Sequence, residues 1–303
     1  MTAVAFVLIA GTVASATQEV RREYIELHMG VATRIVVYAA DDGTARRAAR
    51  AAYARIAELE EIMSDYRPQS EVRRLADRSG ADVPVSEPLY AVLARALELA
   101  RLSDGAFDPT VGPFVELWRE ARRTARLPAR PALDSAAARV GWQKVRLDSA
   151  TRSVRLDVAG MGIDLGGIAK GYILDQARAE LNRHGVRRLL LEAGGDISTG
   201  DPPPGRAGWR VTGVPGGRPL ANAAVSTSGD TEQFVIIDGV RYSHVVDPRT
   251  GLGVTGRRQA TVVAPDGATA DALATALTVL DDARGAVLLG AFPGVVAEVR
   301  RVP

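Results

Sequence analysis

Residues Gly160 to Tyr172 read GMGIDLGGIAKGY, which sets a carboxylate (Asp164), backbone amides freed by Gly166 and Gly167, and one lysine (Lys170) close together. That set suits a phosphorylated ligand, because glycines let the backbone approach closely, first-turn N–H groups carry the positive end of a helix dipole, and the lysine adds a mobile cation. The run VRLDVAG (Val154 to Gly160) reads as a strand leading in, and Ile168, Tyr172, Ile173, Ala177 and Leu181 recur at helical spacing after it. The glycines therefore fall at the expected entrance of a helix. A tight turn in which Asp164 merely caps that helix is the other reading of the same residues.

A second constellation is Asp271 and Thr275 in TADALATAL. Four residues apart on a helix, they project from one face, and hard oxygen ligands of this kind suit Mg²⁺, which takes its remaining ligands from carbonyls, waters and phosphates. An Asp favoured by the dipole and a Thr bonded to its own backbone would look the same in sequence. Among three histidines, His244 in SHVVDPRTG is the best proton acceptor: it sits at the end of an expected strand, with Asp247 placed to orient it. A half-buried hairpin histidine bonded to Asp247 is the alternative. Three turn segments, MSDYRPQS, GAFDPTVGP and EAGGDIS, each combine turn residues with an aromatic or a carboxylate. In them Tyr66 either stacks on a planar ring or covers the core, and Phe107-Asp108-Pro109 either bounds a pocket or caps a helix.

The elements that must position these residues follow from periodicity. REYIELHMGVATRIVVYA predicts a hairpin bending at Met29-Gly30, and the apolar steps Ala52, Ile56, Leu59 and Met63 predict a helix over 43–63, with a loop to Ser70. A second helix is expected from Pro88 to about Ser103, then a short helical piece ending near Trp118 and a polar, Arg- and Pro-rich surface segment over 119–135. Strands follow near 145–158 and at 187–192. GWRVTGV, AAVSTSG, QFVIIDGVRYSHVV and RQATVVA predict further strands, with Asp238-Gly239 as a hairpin turn. A helix over 268–280, a helical piece and a last strand close the chain. Hairpins mixed with packed helices predict an α+β (mixed α/β) fold with antiparallel-rich sheets, not a Rossmann order.

A chain of 303 residues with 47% apolar content can bury a full core, as one domain over 17–303 or as two interleaved lobes. The 38 Lys and Arg against 36 Asp and Glu leave a formal charge of only +2, too little to imply nucleic-acid binding. With no cysteine, disulfides, thiolate catalysis and cysteine-ligated metals are excluded, so a metal must use oxygen or imidazole. Residues 1–16, MTAVAFVLIAGTVASA, form an apolar run ending in a small-x-small pattern, which predicts an export signal and a mature protein that is soluble outside the cytoplasm, periplasmic or otherwise extracytoplasmic. Its basic n-region is missing.

Taken in order, HMGVAT, MSDYRPQSEVRRL, GAFDPTVGP, GIDLGGIAKGY, LEAGGDIS, STSGD with RYSHVVDPRTG, and ADALATAL resemble the FAD:protein FMN transferase family, ApbE, over nearly the whole mature chain. The resemblance implies an exported enzyme that uses Mg²⁺ to split FAD, releases AMP, and attaches FMN through its phosphate to a threonine of a partner protein. By position it implies FAD contacts at Met29, Tyr66, Ala106, Phe107, Asp108, Asp164, Lys170 and Val246, Mg²⁺ held by Asp271, Thr275 and the carbonyl of Gly167, and His244 as the base toward the acceptor threonine. The implied partner carries an Asp-x-x-Ser/Thr-Gly-Ala-Thr type motif, often in a membrane redox complex. The chain departs from the pattern in lacking a lipoprotein cysteine and in carrying Gln233 where a basic residue is expected. An Mg²⁺-dependent FAD pyrophosphatase and a non-catalytic flavin-binding protein remain as alternatives.

Overall fold

Alternating residues at the start of the ordered chain can bury one face only by pairing. They form the hairpin β1 (Val20–His28) and β2 (Val31–Ala39), which turns at Met29 and Gly30, both with positive φ. The structure, a computed structural model, describes residues 19–229 and 234–301; the apolar run 1–16 and Gln233 lie outside them. Helix α1 (Asp42–Met63) follows, with Asp41 accepting the Thr44 N–H at its start and Ala45, Ala52, Ile56, Leu59 and Met63 turned into the core.

The segment after residue 63 holds more helix than its composition suggests. α2 (Glu71–Ala76), the short strand β3 (Asp82–Pro84) and α3 (Glu87–Leu102) lead to α4 (Gly112–Thr124) and α5 (Arg130–Ala137). The segment at 119–135 is largely exposed, as expected of a polar surface stretch, and most of it is helical. Its inward stripe is thin, Trp118 and Ala121 on α4 and Ala136 on α5, so arginines dominate the sequence while a few apolar residues do the packing.

β4 (Val145–Asp148) and β5 (Ser153–Leu156) join β3 in a small sheet of order β3-β5-β4. The expected strand through Gly160 stops at Leu156, so the glycine-rich segment is not fed directly by a strand. It runs instead beside residues 109–112: the Asp164 N–H donates to the Pro109 carbonyl at 2.8 Å, and Val111 bridges to Gly162. A side chain at Gly112 would lie 2.7 Å from the Gly162 carbonyl carbon, which explains the glycine there.

After α6 (Ala169–Arg183) the chain adds β6 (Arg188–Ala193), β7 (Asp196–Thr199), β8 (Ala224–Gly229), the hairpin β9 (Phe234–Ile237) and β10 (Val240–Ser243), β11 (Arg258–Ala264), α7 (Gly267–Val279), α8 (Asp282–Gly290) and β12 (Val296–Arg301). GWRVTGV supplies no strand, only a bridge between Trp209 and Leu220. Seven strands form one wholly antiparallel sheet in the order β1-β2-β6-β7-β8-β11-β12. This is the expected α+β architecture. One face carries α6, packed between α1 and α7; Trp209, Val214 and Leu220 pack on the other.

Candidate functional site

Backbone contact between two helices builds the centre of the site. At the crossing of α6 and α7, a side chain on Gly171 would lie 2.0 Å from the Gly267 carbonyl oxygen, and one on Gly267 would lie 2.5 Å from that of Gly171. Asp175 on α6 locks the crossing by accepting the N–H groups of Gly267 and Ala268 at 2.7 and 3.2 Å, which satisfies donors left open at the start of α7. Burial pushes the Asp175 carboxyl up to about 6, against the two amides and Arg178.

Lys170 and Asp271 thereby meet. Asp271, only 3% exposed, accepts the Gly171 N–H at 3.3 Å and lies 3.8 Å from the Lys170 ammonium, which is paired at 2.7 Å with Asp196 at the start of β7. Burial, then the second carboxylate of Asp196, push Asp271 up to about 7, opposed by Lys170 and the Gly171 amide. Burial works against the Lys170 ammonium, but Asp271 and Asp196 outweigh it and raise its pKa above the usual lysine value. Two buried carboxylates thus share one lysine, and the pocket has room for more positive charge.

Thr275 stands one turn beyond Asp271 on α7, against the backbone of Gly167. A side chain at Gly167 would lie 2.8 Å from Thr275 Oγ1 and 3.3 Å from Phe107 Cε2, so the bare backbone of Gly167 lets the hydroxyl one turn beyond Asp271 approach it. Among the described residues no cluster of three or more His, Cys, Asp or Glu side chains could hold a metal. The set on offer, one carboxylate, one hydroxyl and one carbonyl, fits Mg²⁺, which takes few protein ligands and no nitrogen or sulfur.

Around this centre the other expected residues fall into two groups. Ala106, Phe107 and Asp108 line the buried segment beside Asp164. Asp108 turns its oxygens to the Thr110 N–H and hydroxyl and to the Trp142 N–H, so its side chain holds the loop. Asp164 accepts the Gly166 N–H at 2.7 Å and shapes the glycine turn; it does not cap α6, whose first residues have no side-chain cap. Burial and then the nearby Asp65 push its carboxyl up to about 6, while the Gly166 amide and Arg119 hold it down. Tyr66 is 77% exposed, with the Arg119 guanidinium 4.2 Å from its ring centre and an ion pair between Arg119 and Asp65 beneath the same loop. One face of the ring is covered by a cation and the rest is open.

The second group hangs on α4. Trp118 Nε1 donates to the Ser243 carbonyl at 3.0 Å, and Val246, 7% exposed, packs in the cluster of Phe114 and Trp118 and bridges to Gly253. Val246 is therefore fixed as a packed residue. His244, between them, is exposed. Asp247 accepts from Arg249, whose backbone N–H, Nε and Nη2 donate to its oxygens at 2.8 to 2.9 Å. Met29 stands apart on the hairpin turn, in a left-handed conformation with φ 53°.

The sequence matches the ApbE family over residues 29–298. The chain belongs to the ApbE family. The FAD:protein FMN transferase of Treponema pallidum is 36% identical across 90% of this chain and 83% of its own length, and that of Vibrio cholerae 32% identical across 81% and 75%. Among solved structures, the ApbE protein of Thermotoga maritima superposes with a TM-score of 0.81 at 33% identity, covering 93% of this chain and 96% of that one. The apo form of the flavinyl transferase ApbE of Pseudomonas stutzeri gives 0.80 at 26% identity, covering 93% and 92%.

Three side chains of this ApbE-family site escape sequence reasoning. Asp196 lies in EAGGDIS, which stands out in the sequence, but its pairing with Lys170 depends on β7 being brought to the start of α6. Arg119 sits in the stretch read as surface, and Asp175 looks like one more polar residue on a helix.

Proposed function

We propose that this chain transfers FMN from FAD to a threonine hydroxyl of an acceptor protein in a Mg²⁺-dependent reaction, releasing AMP and leaving FMN joined through its phosphate. The observation that carries this reading is that Lys170, at the start of α6, lies 3.8 Å from Asp271 of α7, while Thr275, one turn beyond Asp271, stands against the backbone of Gly167. The names of the relatives support flavin transfer as the class of reaction.

In this reading Asp271, Thr275 and the Gly167 carbonyl hold the ion, whose positive charge, when bound, eases departure of AMP from the pyrophosphate. Lys170 binds a phosphate oxygen, and the bare backbone at Gly166 and Gly167 lets the pyrophosphate approach. Tyr66, backed by Arg119, offers its open face to a planar ring and limits water at the phosphorus. His244 takes the acceptor proton as the threonine oxygen bonds to the FMN phosphorus and the bond to AMP breaks; its exposure lets a protein partner reach it. The partner is a protein presenting an Asp-x-x-Ser/Thr-Gly-Ala-Thr type segment, as in membrane redox complexes. Export rests on the apolar run at residues 1–16.

Mass spectrometry of the protein incubated with FAD, Mg²⁺ and an acceptor domain bearing that segment tests the reading. An FMN-sized gain on the acceptor matched by AMP is expected. AMP with free FMN and no adduct would make the chain a FAD pyrophosphatase, and no AMP at all would leave a flavin-binding protein.

A further inference from the structure

A groove of about 520 Å³ is lined by the Met29 turn, the C-terminal half of α1 and Arg67 of the loop that carries Tyr66, and one carboxylate ties its walls together. Glu60, on α1, keeps only 16% of its side chain exposed. Its Oε2 accepts the Met29 N–H at 3.0 Å, and its Oε1 accepts Arg67 Nη2 at 3.0 Å. Arg67 follows Tyr66 directly in the chain and also pairs with Glu61. On the far side of Tyr66, Arg119 holds Asp65. The loop is thus pinned on both flanks of its aromatic ring, and only the Glu60 pin also reaches the β1–β2 turn.

That second attachment matters because Met29 is strained. A methionine at φ 53° costs about 1 kcal/mol relative to the right-handed region, and such conformations persist only where the surroundings hold them. Its N–H is held by a carboxylate that keeps only 16% of its side chain exposed. The same carboxylate spends its other oxygen on a guanidinium, a bond that fixes direction as well as distance.

We propose that Glu60 is the positioning residue of the flavin site, a latch that holds the Met29 turn and the Tyr66 loop at one fixed separation before substrate arrives. The proposal rests on the transferase reading together with the FAD contacts at Met29 and Tyr66 that the family resemblance implies; Glu60 acts through them and touches no reacting atom. Because the latch organises the free protein, breaking it weakens FAD binding without slowing the chemical step.

The test compares full-length wild type with Glu60→Ala, Glu60→Gln and Arg67→Ala, reading FAD affinity by flavin fluorescence and KM and kcat from AMP release, well below each variant's unfolding temperature. Glu60→Ala should raise Kd and KM for FAD about tenfold, the loss of roughly 1.4 kcal/mol of preorganisation, with kcat within about twofold. Glu60→Gln keeps an acceptor for the Met29 N–H and should recover part of that loss. Arg67→Ala, on an exposed side chain that leaves the core untouched, should raise KM by a smaller factor, and should add nothing on top of Glu60→Ala. Unchanged Kd and KM in folded Glu60→Ala, or in Arg67→Ala where Glu60→Ala fails to fold, would overturn the latch while leaving the transferase reading intact. Equal losses in kcat and in kcat/KM would overturn it too. A wild type that neither binds FAD nor releases AMP would instead overturn the transferase reading and the latch with it.

Discussion

Asp271 concentrates the charge balance of the site: buried, pressed by Asp196 and answered by a single lysine, its carboxyl is raised to about 7. A cation beside it removes that conflict, which is why substitution here should act on metal-dependent chemistry before it acts on the fold. Asp271→Ala should lower Mg²⁺-dependent FAD cleavage on the order of a thousandfold, the scale of losing about 4 kcal/mol of charge stabilisation, as read from AMP release; normal turnover with Mg²⁺ would remove Asp271 from the metal site. His244→Ala, in parallel, should keep FAD affinity and lose adduct formation on the acceptor. At this scale the sequence was informative where a residue type is rare for its context. A lysine after paired glycines and an Asp/Thr pair on an apolar helix stand out, though each alone also has a bland reading and only their order among the other motifs lifts them above it. Asp196, Asp175 and Arg119 do not, because each gains its role from a partner far along the chain.

The elements that matter most are α6, α7 and α4. The first two touch through Gly171 and Gly267 with no space for a methyl group, so Gly171→Ala must push backbone apart. It should destabilise the protein by about 3 kcal/mol or more in denaturant unfolding and should weaken Mg²⁺ binding measured by calorimetry, since Lys170 and Asp271 flank the contact. An unperturbed melting curve would show that the helices can separate freely. Long apolar-periodic elements such as α1, α3 and α7 were legible because each buries a full stripe. Helix α4 was legible only in its first half, as a short piece ending near Trp118, because Ala121 alone follows among arginines and glutamates; yet the helix carries both Trp118, bonded to the strand before His244, and Arg119, under Tyr66. The strand expected through Gly160 failed for the opposite reason: Asp157 to Gly160 continue an alternating pattern, but their backbone turns away to run beside 109–112.

For the whole molecule, the cost of joining these elements shows in its response to pH. Asp175 titrates near 6 in the fold against an ordinary value of 3.8, so between those values the native state binds more protons than the unfolded chain and stability falls as pH rises. Its full contribution is present below about pH 4 and is gone above about pH 6. Asp175→Asn does not titrate, so the stability of the variant relative to wild type should improve by about 2 kcal/mol between pH 4 and 7, measured by urea unfolding at each pH. A constant difference across that range would mean that Asp175 is not held in the protonated state by burial. The antiparallel sheet and its layer of helices were legible from hairpin signals and periodicity, whereas the strand order was not: β8 lies between β7 and β11, with the whole 200–222 excursion and the β9–β10 hairpin in between, and nothing local fixes that.

The glycine crossing of α6 and α7 also divides the molecule in time. Two helices in backbone contact, capped across the joint by Asp175 and packed on the sheet, have no small opening available to them, so their amide hydrogens should exchange with deuterium only when the entire domain unfolds. Residues 64–70, tied down by side-chain ion pairs at the surface, should exchange through brief local excursions many times faster. Slow exchange at the crossing beside fast exchange in 64–70 would show that the latched loop opens and recloses on its own while the helix pair stays shut.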